Sequence, residues 1–148
     1  MKPCILVTGG AGYVGSHVNL LLAEAGYDTV VLDNLVHGWK GLVQAGELVQ
    51  ADVADAAALD EVFASRRIEA VMHLAAYAYV AESVTRPRLY YENNLRGLLE
   101  LLAAMRRAGV DSIIFSSSCS VYGPPQRIPL VEEHPRAPIS PYGRTKDM

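Results

Sequence analysis

Near the C-terminal end of the sequence lie three side chains suited to moving a proton on and off a hydroxyl group. Tyr142 and Lys146 are four residues apart, so on a helix they share one face. A tyrosine of pKa ~10 is a poor base near neutrality. A neighbouring ammonium stabilises the phenolate and brings that pKa down. Ser118 closes the run Ser116-Ser117-Ser118 and can hydrogen-bond the reacting hydroxyl and relay its proton. Tyr-x-x-x-Lys alone is a weak pattern; it gains weight from the glycine turn and serine run that precede it.

The N-terminal end carries a second constellation. Gly9, Gly10, Gly12 and Gly15 punctuate the turn that leads into Tyr13 and Val14. Glycines at such a turn allow a sharp bend, close backbone approach to a pyrophosphate and tight helix–strand contact. The helix after the turn presents unpaired N–H groups and a partial positive charge to the phosphates. Asp33 comes 18 residues after Gly15, at the end of an apolar β-branched run. A carboxylate there accepts hydrogen bonds from the ribose hydroxyls of an adenosine and repels a 2′-phosphate. No arginine lies between Tyr13 and Trp39 to receive such a phosphate, so the cofactor expected is NAD rather than NADP. Asp52 closes the next strand in the same way, placed either for an adenine amino group or as an ordinary acid at a helix start.

These residues need elements to hold them. Apolar strands are expected at Cys4–Thr8, Thr29–Leu32, Leu48–Ala51, Ala70–Leu74 and Ser112–Ser117. Between them, helical spacing covers Val14–Ala25, Ala56–Ser65 with Asp55 as its N-cap, and a long stretch Leu89–Ala108 closed by Gly109. Leu95, Leu98, Leu99 and Leu102 are read as the core face of that last helix. Strands apolar throughout and alternating with helices imply a doubly wound parallel α/β sheet of Rossmann type, in the order 3-2-1-4-5. No repeat or linker divides the chain. Gly123–Pro141 holds six of the eight prolines and has no periodicity, which reads as a functional loop.

Composition narrows the function classes. The 148 residues are 51% hydrophobic and 20% charged, enough apolar mass for a packed domain and too little charge for a disordered tail. Thirteen basic residues against sixteen acidic ones, with a net charge of −3 and no basic patch, argue against nucleic acid as a partner. No apolar run approaches the ~18 residues of a membrane span. Cys4 and Cys119 read as buried thiols in a reducing compartment, which points to the cytoplasm. The four histidines lack ligand spacing, so no metal is expected; His73 reads as a core residue with one hydrogen bond. Tyr90-Tyr91 reads as packing and Arg106-Arg107 as a solvated helix end.

The ordered set VTGGAGYVGSH, DNL, YYENN, IIFSSSCSVYG and SPYGRTK resembles the extended short-chain dehydrogenase/reductase family. Within it, the chain is similar over essentially its whole length to nucleotide-sugar 4-epimerases of the UDP-glucose/UDP-galactose type. The resemblance implies that Tyr13 and Val14 line the cofactor phosphates, with Asp33 and Asn34 at the adenosine ribose and Asp52 and Val53 beside the adenine. It implies that Leu74, Ala75 and Ala76 run beneath the ribose and nicotinamide, with Asn93 and Ser116 completing the cofactor contacts. Ser118, Tyr142 and Lys146 would carry the chemistry on a UDP-sugar. Tyrosine removes the 4-hydroxyl proton while NAD takes the C4 hydride; the 4-keto sugar turns over, and hydride returns to its other face.

Sugar-nucleotide dehydratases of this family carry an acidic pair after the serine; Cys119 and Ser120 stand there and cannot run that elimination. Ala78 stands where many galactose epimerases have a lysine, which leaves a pentose substrate, as in UDP-arabinose/xylose epimerases, open beside the hexose. The resemblance further implies a homodimer when full length. It implies that residues 1–148 are the NAD-binding N-terminal portion, with the substrate domain absent from this chain. On that reading the chain alone binds NAD weakly without turnover, a non-catalytic dinucleotide-binding fragment. The helix carrying Tyr142 and Lys146, with two residues after Lys146, is expected to lack the length to hold them in register.

Overall fold

The computed structural model describes residues 2–148, which fall into two compact units. The first comprises the chain up to Ala76 together with Gly97–Ser116. It holds β1 (Cys4–Thr8), α1 (Tyr13–Glu24), β2 (Asp28–Asp33), β3 (Glu47–Gln50), α2 (Ala56–Ser65) and β4 (Ile68–His73). The second comprises Tyr77–Arg96 and Ser117–Met148. Its helices are α3 (Val80–Thr85) and α4 (Pro87–Tyr90). Back in the first unit, α5 (Gly97–Ala108) is followed by β5 (Ile113–Phe115), and α6 (Pro141–Asp147) ends the second unit.

All five strands pair in parallel, in the order β3-β2-β1-β4-β5, the sheet expected from sequence. Leu6 of β1 lies opposite both Val30 and Val71, and Thr8 opposite both Leu32 and His73. The period-2 alternation of β1 sends Cys4 and Leu6 to one face and Ile5 and Val7 to the other. On the first face they join Leu59 and Val62 of α2 and Leu101, Ala104 and Met105 of α5. On the second, Leu22 of α1 packs against Ile5, Val7 and Val31. A strand covered on both faces has no polar side to show, which is why the strand segments read as continuous apolar runs.

Several local expectations are corrected. Strand ends move by up to two residues, so that β4 begins at Ile68 and β5 spans only Ile113–Phe115. The helix expected over Leu89–Ala108 is broken: α4 ends at Tyr90, a wide π-helical turn takes Tyr91–Arg96, and α5 starts at Gly97. A π turn inserts a residue into the 3.6 period and rotates the helix beyond it. Within α5 the buried residues include Leu101, Ala104 and Met105, while Leu99 and Leu102 of the expected core face are exposed. Arg107 reaches Asp60 of α2 with Nε at 3.0 Å and a terminal nitrogen at 2.7 Å, so it is paired rather than merely solvated. Cys4 is buried as expected, and burial pushes its thiol pKa up; Cys119 is exposed on a short 3-10 turn, Cys119–Val121.

Two elements behave as their local chemistry dictates. Asp55 caps α2, its Oδ1 accepting from Ala57 N at 3.0 Å and Ala58 N at 3.2 Å. The helix α6 forms despite its seven residues, against the expectation from length. Ser140 Oγ accepts from Gly143 N at 3.0 Å, and Pro141 stands at a helix start where its fixed φ is favourable. Burial of Tyr142, Gly143, Thr145 and Lys146 supplies what an isolated short helix lacks. Residues 123–139 carry neither helix nor strand. Among the described residues no helix is long and apolar enough to cross a membrane.

Candidate functional site

In the first unit the residues expected to hold a dinucleotide gather at the C-terminal ends of β1, β2, β3 and β4. The turn after β1 is built by close backbone contact. Gly9 adopts φ +72°, its N–H donating to Leu32 O at 2.8 Å. A Cβ on Gly15 would sit 2.1 Å from Gly9 O, so only glycine lets α1 begin so close beneath the turn. Gly12 is the N-cap of α1 and offers no side-chain cap, and the first turn of α1 holds no acidic residue. The N–H groups at that end are left to an outside acceptor, and an anion is the acceptor that the helix dipole favours. Tyr13 and Val14 are exposed beside it, Tyr13 at 80%.

Asp33 is 8% exposed at the end of β2. Its Oδ2 accepts from Ala11 N at 3.0 Å and its Oδ1 from Leu35 N at 2.8 Å. Two backbone donors fix the carboxylate against the glycine turn. Each oxygen still has a lone pair for a ribose hydroxyl. Asn34 Nδ2 donates to Asp52 Oδ2 at 2.9 Å, while Asp52 Oδ1 takes Ala54 N at 2.8 Å. Asp52 is thus an anchored turn acid linked to Asn34, and Val53 turns its side chain into the core against Gly97. Leu74 N donates to Thr8 O at 3.0 Å, and Leu74, Ala75 and Ala76 are all half-buried. Ser116 N donates to His73 O at 3.0 Å. His73 is buried, with Nδ1 2.7 Å from Thr8 Oγ1, the core role expected of it.

In the second unit α6 displays Tyr142 and Lys146, 8% and 7% exposed. Burial lowers the Lys146 ammonium to a pKa of about 8, because a charged group loses hydration in the interior. It is still largely protonated at neutral pH, as a group that stabilises a phenolate must be. Ser118 Oγ accepts from Ser120 N at 3.2 Å, capping the 3-10 turn with its lone pair and leaving its proton to donate elsewhere. A Cβ on Gly143 would lie 2.8 Å from Ser120 O, so the missing side chain sets how closely α6 approaches that turn. Ser117 Oγ reaches Lys146 O at 3.5 Å. Asn93, on the π turn, is half-buried and donates from Nδ2 to Asn94 Oδ1 at 2.9 Å.

The residue sequence reasoning passed over is Asn94. Its Oδ1 accepts from Tyr77 N at 2.8 Å, and its Nδ2 donates to Tyr77 O at 3.0 Å and to Thr145 Oγ1 at 3.1 Å. Thr145 Oγ1 in turn donates to Tyr142 O at 2.7 Å. One buried amide thus ties the loop after β4 and the π turn to the helix that carries Tyr142 and Lys146. The adjacent asparagines of YYENN were the available signal, but sequence alone does not say which of them faces inward.

The chain is similar to proteins of known family. The chain is 50% identical over 142 residues to a UDP-glucose 4-epimerase of Rhizobium meliloti (strain 1021), covering 96% of the chain and 43% of the relative. It is 43% identical over 154 residues to a putative UDP-arabinose 4-epimerase of Arabidopsis thaliana, covering 97% of the chain and 37% of that relative. The crystal structure of a UDP-glucose 4-epimerase from Brucella ovis in complex with NAD superposes with a TM-score of 0.95 at 48% identity, covering 98% of this chain and 45% of the other. The chain therefore spans under half the length of the relatives it matches. A family model matches residues 5–148, and the chain belongs to the NAD dependent epimerase/dehydratase family.

Proposed function

We propose that a protein carrying these residues is a nucleotide-sugar 4-epimerase that interconverts UDP-glucose and UDP-galactose with NAD. The observation that carries the reading is the buried Tyr142–Lys146 pair on one face of α6, with Ser118 on the turn that packs against the same helix. A phenol supported by an ammonium serves reversible proton removal from a sugar hydroxyl, the step a 4-epimerase needs in both directions.

The residues of the first unit fit NAD. The uncapped N-terminus of α1 takes the pyrophosphate, and Asp33 takes the adenosine ribose and turns away a 2′-phosphate. Asn34 and Asp52 border the adenosine, with Val53 offering its main chain; Leu74, Ala75, Ala76 and Ser116 complete the set in this unit. Bound NAD supplies a hydride acceptor and donor for the sugar's C4. Tyr142 withdraws the 4-hydroxyl proton and returns it after the sugar has turned over. Lys146 holds positive charge beside the developing phenolate, and Ser118 donates to the sugar oxygen as its charge builds.

Residues 1–148 are then the NAD-binding portion of a cytoplasmic homodimeric enzyme of carbohydrate metabolism. A second reading, UDP-arabinose/xylose 4-epimerisation, is favoured by Ala78 in place of lysine and by the arabinose-epimerase relative. The test is conversion of UDP-galactose by protein carrying this segment, monitored by sugar proton NMR. Turnover of UDP-galactose, with Tyr142→Phe lowering kcat by roughly 10²–10⁴-fold, is expected. Turnover of UDP-arabinose alone favours the second reading. Conversion of neither, with NAD bound, contradicts both and leaves a dinucleotide-binding module.

A further inference from the structure

Tyr90 is the largest side chain fully removed from solvent, 0% exposed, and the function proposed above gives it no task. It sits at the last residue of α4, and its hydroxyl is held from two sides. Tyr90 Oη donates to Tyr79 O at 2.8 Å and lies 2.9 Å from Glu82 Oε2. Glu82 is itself tethered, its Oε1 3.2 Å from an Arg86 terminal nitrogen. The far end of the ring is therefore fixed to α3, and the ring body meets two others. Its centroid is 6.4 Å from that of Tyr142 at an interplanar angle of 82°, and 6.0 Å from that of Tyr77 at 70°. Edge-to-face pairs of this kind hold a preferred mutual angle, beyond the area they bury.

A proton-transfer phenol must keep one orientation through the reaction, because a displacement of about 1 Å at a reacting group can cost on the order of 10²-fold in rate. Lys146 supplies charge, and Thr145 fixes the main chain of Tyr142 through its carbonyl, 2.7 Å away. The aromatic ring that meets the Tyr142 ring is that of Tyr90. We propose that Tyr90 is a positioning residue for Tyr142: its buried ring, anchored through its hydroxyl to Tyr79 O and Glu82, sets the orientation of the Tyr142 phenol. Tyr90 can do this without competing for the proton. Burial, and then the Glu82 carboxylate, push its own pKa up to about 12, so it stays neutral across the neutral pH range. The inference rests on the reading that Tyr142 is the proton-transfer group.

The test monitors Tyr142 itself. The 148-residue chain is labelled with ¹³Cζ-tyrosine, and the Tyr142 signal is assigned among the eight tyrosines by Tyr142→Phe. Its ionisation midpoint is then measured in the wild type, Tyr90→Phe, Tyr90→Leu and Glu82→Gln. Tyr90→Leu, which deletes the aromatic edge, is expected to move the Tyr142 midpoint by at least half a pH unit, a threefold change in the ionisation constant. Tyr90→Phe and Glu82→Gln keep the ring and release its anchor; both are expected to shift or split the Tyr142 resonance. If Tyr90→Leu does not fold, these two decide the matter. A Tyr142 signal and midpoint unmoved in every folded variant overturns the proposal. If Tyr142 responds in these ways while a longer protein carrying this segment binds NAD and converts no sugar nucleotide, the positioning role stands and the epimerase reading falls.

Discussion

Asp33 has one structural task and one proposed binding task, and a substitution to alanine removes both. Its oxygens receive Ala11 N and Leu35 N at 3.0 and 2.8 Å, and the same carboxylate is the proposed acceptor for a ribose. Asp33→Ala strands both amides, at about 1–3 kcal/mol each where they stay dry, and should abolish NAD affinity. Tyr142→Phe keeps its ring in place and should leave NAD affinity nearly unchanged; calorimetric titration of the two variants checks both. Lys146 makes a pH-dependent prediction. Burial lowers its pKa from 10.5 to about 8, so the unfolded chain binds the proton more tightly than the folded one. The burial penalty is fully present below pH 8 and is relieved as pH rises through 10.5. Urea denaturation should therefore find Lys146→Met more stable than wild type at about pH 7, with the gap closing as the pH approaches 10.5. A gap independent of pH would contradict the burial of a protonated Lys146. That Asp33 ends a strand and that Tyr142 and Lys146 share one helix was legible in the sequence, because both follow from simple spacing rules. That Lys146 is so deeply buried was not legible, because burial is a property of the segments that pack over it.

At the scale of elements, a local signal sufficed wherever the chain satisfied itself within a few residues. The Asp55 cap and the apolar spacing of Ala56–Ser65 belong to one segment, and α2 has the expected ends. The Leu89–Ala108 stretch also has helical spacing, but its course is decided by a distant partner. Asn94 bonds both main-chain groups of Tyr77, and around it the chain forms a π turn instead of a continuous α-helix. Propensity cannot register a partner seventeen residues away, so the break in the expected helix was not legible. The helix α6 was misjudged for the same reason, since its stability comes from packing and from Asn94 through Thr145. Asn94→Ala should therefore destabilise the chain by about 2–3 kcal/mol, well beyond the about 1 kcal/mol expected for the lost cap in Ser140→Ala. Equal effects on urea unfolding would mean that α6 is held by its cap and not by the asparagine.

For the whole molecule, the alternation of apolar strands with helices was enough to specify five parallel strands in the order β3-β2-β1-β4-β5. The division of the chain into two compact units was not legible, because the second is assembled from two segments separated by α5 and β5. No composition shift or linker marks that boundary. The proposed roles respect the division: the sheet unit contains the glycine turn and Asp33, and the other contains Ser118, Tyr142 and Lys146. The most direct test is native mass spectrometry of the 148-residue chain with NAD and with NADP, beside the Asp33→Ala variant. One NAD per wild-type chain is predicted, with no NADP and no NAD on the variant. A folded wild-type chain that gains no mass with NAD, or gains NADP equally, would contradict the cofactor site described for the glycine turn and Asp33.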